Sequence, residues 1–151
     1  MRMKKKIDIV TLMVISILFA GCVKQDKPIT SSYPIAIDLS KVGTYPALTK
    51  SGAGYFYDEV LEYRVWIHPD GDDSYEAFAT FEEAEVFSKK HGNAEEPLVL
   101  VLQREHINEP KPGEFEHVKG NRITEWRVEW LKGQKRAPNS IELFLKAKTK
   151  N

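Results

Sequence analysis

The sequence predicts an α+β domain: a mainly antiparallel sheet of four to six strands with two helices packed on it. Three observations carry this. Leu98-Val99-Leu100-Val101-Leu102 are five aliphatic residues in succession, the pattern of a strand buried on both faces near the centre of a sheet. Thr80-Phe81-Glu82-Glu83 has the form of a capping box, so a helix starts at Phe81, and Gly92 stands ready to end it. Leu61 to Ile67 alternates, with Leu61, Tyr63, Val65 and Ile67 facing a core and Glu62, Arg64 and Trp66 facing solvent or a groove.

The N-terminus comes first. Arg2, Lys4, Lys5 and Lys6 form a basic start and Ile9 to Ala20 an apolar run of 12 residues. That run is short for a spanning helix, which needs about 20 apolar residues, and suits a secretory signal. Leu18-Phe19-Ala20-Gly21-Cys22 resembles the bacterial lipoprotein signal, with Phe19 where that family usually has Leu. The resemblance implies a signal peptide over 1–21 and a lipidated Cys22 that carries palmitate and anchors the chain to a membrane. In that family an Asp directly after the cysteine favours the inner membrane; Val23 stands there, pointing to the outer membrane, facing the periplasm. Residues 22–34 then read as the lipidated cysteine and a flexible tether, and 35–151 as a single globular domain.

Composition narrows the function classes. The whole chain has 22 basic and 22 acidic side chains, but removal of residues 1–21 leaves 18 against 21, a mature charge of −3. Such a domain has no electrostatic case for nucleic acid. Cys22 is the one cysteine, so no intrachain disulfide is possible and the core alone must hold the fold.

Within the domain, Ile35 to Leu39 reads as a short strand, and Gly43 to Gly54 as a loop. Tyr55-Phe56-Tyr57 leads into the first core strand, and Pro69-Asp70-Gly71-Asp72-Asp73 is a turn without the glycine spacing of a calcium loop. The helix from Phe81 to His91 has Glu82 and Glu83 in its first turn, Lys89 to His91 in its last, and Phe81, Ala84 and Phe87 as its buried stripe. Glu109 to Gly113, with two prolines, should break the chain. Phe115 to Lys119 and Arg122 to Leu131 then read as a hairpin across Gly120-Asn121, with Trp126, Val128 and Trp130 on one face. A last helix starts at Asn139, with Glu142 closing its cap and Ile141, Phe144 and Leu145 facing the sheet.

Chemistry-bearing residues are few. His68, His91, His106 and His117 have no paired spacing, so no metal site is expected, and neither a serine elbow nor a phosphate-binding glycine loop is present. Arg64 on a strand, Thr80 before a helix, and Glu125 with Glu129 on a late strand form an order that resembles the ADP-ribosyltransferase layout. That resemblance implies catalytic roles: Arg64 gripping a dinucleotide phosphate, Thr80 orienting a ribose and Glu125 stabilising an oxocarbenium ion. Glu125 and Glu129 are four apart, so the family's Glu-x-Glu is not met.

Ser51 to about Leu145 also resembles an uncharacterised bacterial family, through Gly54 to Trp66, Ala77 to Thr80, Glu96 to Glu105 and Arg122 to Trp126. Relatives are sometimes labelled GCN5-related acetyltransferases, which implies a glycine-rich coenzyme A loop. The glycines available are Gly52 and Gly54, with Thr49 where that loop has Gln or Arg. Taken together, the sequence leads to a membrane-anchored lipoprotein carrying a small binding or interaction domain. Its partners would be the membrane and a protein or small-molecule ligand of unknown identity, with no cofactor. The alternative is a group-transfer enzyme.

Overall fold

The computed structural model describes residues 31–46, 55–69 and 71–149. The expected signal peptide, Cys22 and most of the tether lie outside them. Among the described residues one sheet holds four strands, β1 (Glu59–Ile67), β2 (Ser74–Phe78), β3 (Leu98–Lys111) and β4 (Glu114–Arg127), in the order β2-β1-β3-β4. Every neighbouring pair is antiparallel. Two α-helices, α1 (Phe81–Lys90) and α2 (Ser140–Lys148), complete the expected α+β class.

Val99, Leu100 and Val101 are fully buried, as an apolar run in an inner strand should be. Alternation sends Val99 and Val101 into a core with Tyr63, Val65 and Trp126, which α1 covers through Ala84 and the half-buried Phe81 and Phe87. Leu100 faces the other way, beside Glu62 and Glu125 in register. Among the described residues neither α1 nor α2 covers that face. The strict alternation expected of β1 also fails at one point. Val60 pairs with Val101 and Glu62 with Leu100, so Leu61 and Glu62 together oppose one residue. This bulge puts Leu61 opposite the main core, in a shallow groove with Leu102 and Ile123.

The segment 35–46 straps the second face. It is not the strand expected at Ile35–Leu39: Ala36 is buried, Ile37 is exposed, and a 3-10 helix spans Leu39–Lys41. Its backbone nevertheless finds partners, Ala36 N–H donating to Ala79 O and Ile37 N–H to Val60 O, each at 2.9 Å. Under this strap Glu62 and Arg64 are fully buried, so the face expected to be solvated or groove-lining is a closed, charged interior.

The expected hairpin at Gly120-Asn121 is a bulge instead. Gln103 pairs with Arg122 and Glu105 with Lys119, so Gly120 and Asn121 both oppose Arg104 while β4 runs on. The turn lies at Pro112-Gly113, where Gly113 has φ +81°, the left-handed position that follows proline in a type II turn. Pro110, expected to break the chain, is carried within β3 where the register shifts between Asn108 and Lys111. β4 ends at Arg127, and Val128–Leu131 coils into a 3-10 helix that buries both Val128 and Leu131. Glu129 is therefore not on a strand.

α1 starts as expected. Thr80 Oγ1 accepts from Glu83 N–H at 3.3 Å and Glu83 Oε2 accepts from Thr80 N–H at 3.2 Å. It ends at His91, whose φ of −114° needs no glycine. Thr80→Ala should cost about 1 kcal/mol in a urea melt while leaving ligand binding unchanged. α2 differs at its cap: Asn139 makes no side-chain cap bond, and Ser140 Oγ instead accepts from Ala137 N–H at 2.8 Å.

The last residues of the expected tether, 31–34, are held on the domain. Ser31 Oγ donates to Glu82 Oε2 at 2.7 Å, and Ser32 N–H and Oγ donate to Glu82 Oε1 at 2.7 and 2.8 Å. Tyr33 packs edge-on against Phe81, and Tyr63 Oη donates to Pro34 O at 2.5 Å. Burial raises the Tyr63 phenol's pKa, which keeps the donor protonated. Burial also works against the Glu82 carboxylate, but the hydrogen bonds from Ser31 and Ser32 outweigh it and bring its pKa from 4.5 down to about 2. A lowered carboxyl stabilises the fold above its unfolded pKa and loses that contribution as pH falls through the folded one. The clamp should thus hold above pH 4.5 and release toward pH 2. Protection of the Ser32 amide, taken relative to its intrinsic exchange at each pH, should fall across that window, and Glu82→Gln should remove this fall; constant protection in wild type would refute the clamp.

Candidate functional site

Arg64 and Glu125 do come together, in the interior under the strap. Arg64 Nε donates to Glu62 Oε1 at 2.6 Å and Nη1 to Glu125 Oε1 at 3.3 Å. Nη2 donates to the carbonyls of Tyr45 and Pro46, each at 3.0 Å, and the guanidinium lies 4.4 Å from the Tyr75 ring centroid. The carboxylates are satisfied in turn: Glu62 Oε2 accepts from Gly43 N–H at 2.7 Å and Glu125 Oε2 from Trp66 Nε1 at 3.3 Å. Planar guanidinium geometry suits this task, because its fork reaches two carboxylates and two carbonyls at once. A phosphate would have to displace internal partners on every side of it.

Thr80 is elsewhere. It caps α1, which covers the Tyr63 and Val65 face, whereas Arg64 points to the opposite face. Its hydroxyl is buried and engaged with Glu83. The three residues of the ADP-ribosyltransferase layout are thus split between the two sides of the sheet. Gly52, Gly54 and Thr49, the acetyltransferase-like loop, lie outside the described residues.

Two polar clusters escaped the sequence reading. Asp58, nearly buried, binds Arg136 through Nε at 2.8 Å and Nη2 at 2.5 Å, and accepts from Arg104 N–H at 2.6 Å. Arg136 Nη1 lies 3.6 Å from Glu105, which meets His117 Nε2 at 2.6 Å. The hydrogen bond to Asp58 raises the Arg136 pKa further. This cluster ties the chain after β4 back onto β1 and β3. On the surface, His68 bridges Asp73 at 2.7 Å and Glu95 at 3.0 Å, and these bonds raise its pKa above 6.5. Among the described residues no group of His, Cys, Asp and Glu is arranged to hold a metal.

The accessible concavity with the most distinctive chemistry lies between the far end of the β3–β4 ribbon and α2. Phe56, Phe115 and Phe144 line it with Tyr55, Glu109 and Lys148, in a shallow hollow of about 690 Å³ open to solvent. Phe144 meets Phe115 edge-to-face at 5.4 Å and Phe56 at 6.2 Å, all three only half-buried. Lys148 Nζ lies 5.6 Å from the Phe115 centroid and 5.5 Å from that of Phe144. One signal for this site was in the sequence: Phe144 and Lys148 are four apart, so they share a helix face. Phe115 joins them only through the ribbon, whose length the sequence does not announce, and Phe56 from the residues just before β1.

No protein-family model, curated protein or solved structure matches the chain.

Proposed function

We propose that the chain is an envelope lipoprotein whose domain is a binding module, working through the aromatic groove between the ribbon and α2. The observation that carries the choice of binding over group transfer is the state of Arg64. It is fully buried, its nitrogens are engaged by Glu62, Glu125 and two carbonyls, and Thr80 lies across the sheet. An arginine so enclosed positions a strap. The groove, by contrast, offers partly exposed rings and two charged side chains on an open, accessible surface. The anchor rests on the lipoprotein-like signal ending at Cys22, nine positions before Ser31, which bonds Glu82 on the domain.

Two measurements test this. Wild type should incorporate labelled palmitate and Cys22→Ser should not; equal labelling of both removes the anchor. In a melting-shift assay, nicotinamide dinucleotide and acetyl-coenzyme A should leave the melting temperature unchanged, since Arg64, the expected phosphate grip, is already engaged by Glu62, Glu125 and two carbonyls. Saturable stabilisation by either one would restore the group-transfer reading.

A further inference from the structure

We propose that the groove's ligand carries an organic cation with an N-methylated or quaternary ammonium head, and that Lys148 is an internal stand-in which this ligand displaces. The inference rests on the binding-module reading of the same groove and adds the ligand class. The ring arrangement is the starting point. Phe115 and Phe144 stand at 89° to one another and Phe144 and Phe56 at 86°, so neighbouring faces form corners rather than one flat platform. Aromatic faces carry negative quadrupole density, and a cation within about 6 Å of a centroid is attracted to it. Lys148 Nζ meets that condition for two rings at once, at 5.6 and 5.5 Å. The corner therefore already holds a cation.

Lysine is a poor permanent occupant. Its ammonium is compact, strongly hydrated and carries three N–H donors, which ring faces satisfy weakly. A head with methyl groups in place of those hydrogens has no donors to strand, and its methyls bury against the rings while the charge still meets them. Lys148 is exposed on the last turn of α2, so its departure disturbs no packed element. Glu109 adds an anion to the same groove; its Oε1 accepts from Gly113 N–H at 2.9 Å, which fixes the carboxylate near the ribbon turn. A sugar would instead favour an open, flat ring face with several hydrogen-bonding groups around it. The orthogonal rings and the resident ammonium favour the cation.

The test uses the full chain in a maltoside detergent, with choline as probe and 3,3-dimethylbutan-1-ol as its neutral isostere. Choline should perturb the ring resonances of Phe115 and Phe144 and bind about fivefold more tightly than the isostere. Lys148→Ala, which removes the internal competitor, should tighten choline by about two- to fivefold. Phe115→Leu should weaken it by a similar factor at an unchanged melting temperature. Should that variant unfold, the isostere comparison and Lys148→Ala still decide. Equal binding of choline and isostere at Phe115 would overturn the cation class and leave a binding groove standing. Failure of both probes to perturb any groove residue would overturn the cation class and count against the groove itself.

Discussion

Arg64→Met should cost about 3–5 kcal/mol, much of the 5–15 kcal/mol that holds a typical domain together. The size follows from what remains behind. Glu62 and Glu125 would stay in an interior where their side chains are 0% and 2% exposed, with the cation between them gone. An uncompensated charge at low dielectric is far more damaging than a lost surface pair. The strap would also lose its anchors, because Arg64 Nη2 binds the carbonyls of Tyr45 and Pro46. Lysine should not rescue it, since one ammonium cannot reach Glu62, Glu125 and two carbonyls together. The informative comparison is the triple variant Arg64→Met with Glu62→Gln and Glu125→Gln. It removes all the charge and should regain much of the loss in a urea melt. A single Arg64→Met variant of wild-type stability would mean that the strap is held by other contacts and that Arg64 is free for a ligand.

The way this cluster was hidden explains what could be read from the sequence. Alternation in β1 was legible, as were the apolar run in β3 and the capping box at Thr80, because each is a local pattern tied to a local hydrogen bond or a buried face. Burial on the second face was not. Glu62, Arg64 and Trp66 have the composition of a solvated stripe, and only a segment some 20 residues earlier closes it. That segment has no periodicity. It is bound through backbone groups, Gly43 N–H to Glu62 and the Tyr45 and Pro46 carbonyls to Arg64, and such contacts leave no trace in side-chain pattern. The two bulges are the second blind spot. One residue inserted at Leu61-Glu62 moves Leu61 across the sheet, and Gly120-Asn121 looks like a tight turn when it is the extra residue of a continuous strand. Strand β2 was missed because Ser74–Phe78 is five residues long and ends on Ala77-Phe78, which breaks the polar–apolar alternation.

The candidate site was legible in half. Arg64 and Glu125 do meet, within the cluster that also holds the strap, and Thr80 forms the cap that Glu83 three residues later also suggested. The groove residues read as packing positions, Phe144 facing the sheet and Phe56 and Phe115 on strand approaches, because three phenylalanines distant in sequence look like core. Their partial exposure is a tertiary fact: the ribbon extends past the main core, and α2, only nine residues long, covers it incompletely.

Leu100→Ala should cost about 2–5 kcal/mol and lower the melting temperature by about 10 °C or more. Leu100 is fully buried, at the crossing of β1, β3 and β4, with Glu62 and Glu125 as its cross-strand neighbours. Truncation therefore does two things. It opens a cavity beneath the strap, and it removes apolar packing from beside two buried carboxylates whose low-dielectric surroundings strengthen their bonds to Arg64. Water admitted there would weaken those bonds, which places Leu100→Ala toward the upper end of the range. Leu102→Ala offers the internal comparison: Leu102 is half-buried and lines the open groove with Leu61 and Ile123, so the space can refill with water and the loss should be smaller. Asp72→Ala, in the exposed turn before β2, should melt with wild type. A Leu100→Ala variant within a degree or two of wild type would place this strand at the edge of the cooperative unit, and the strapped face would then contribute little to holding the sheet together.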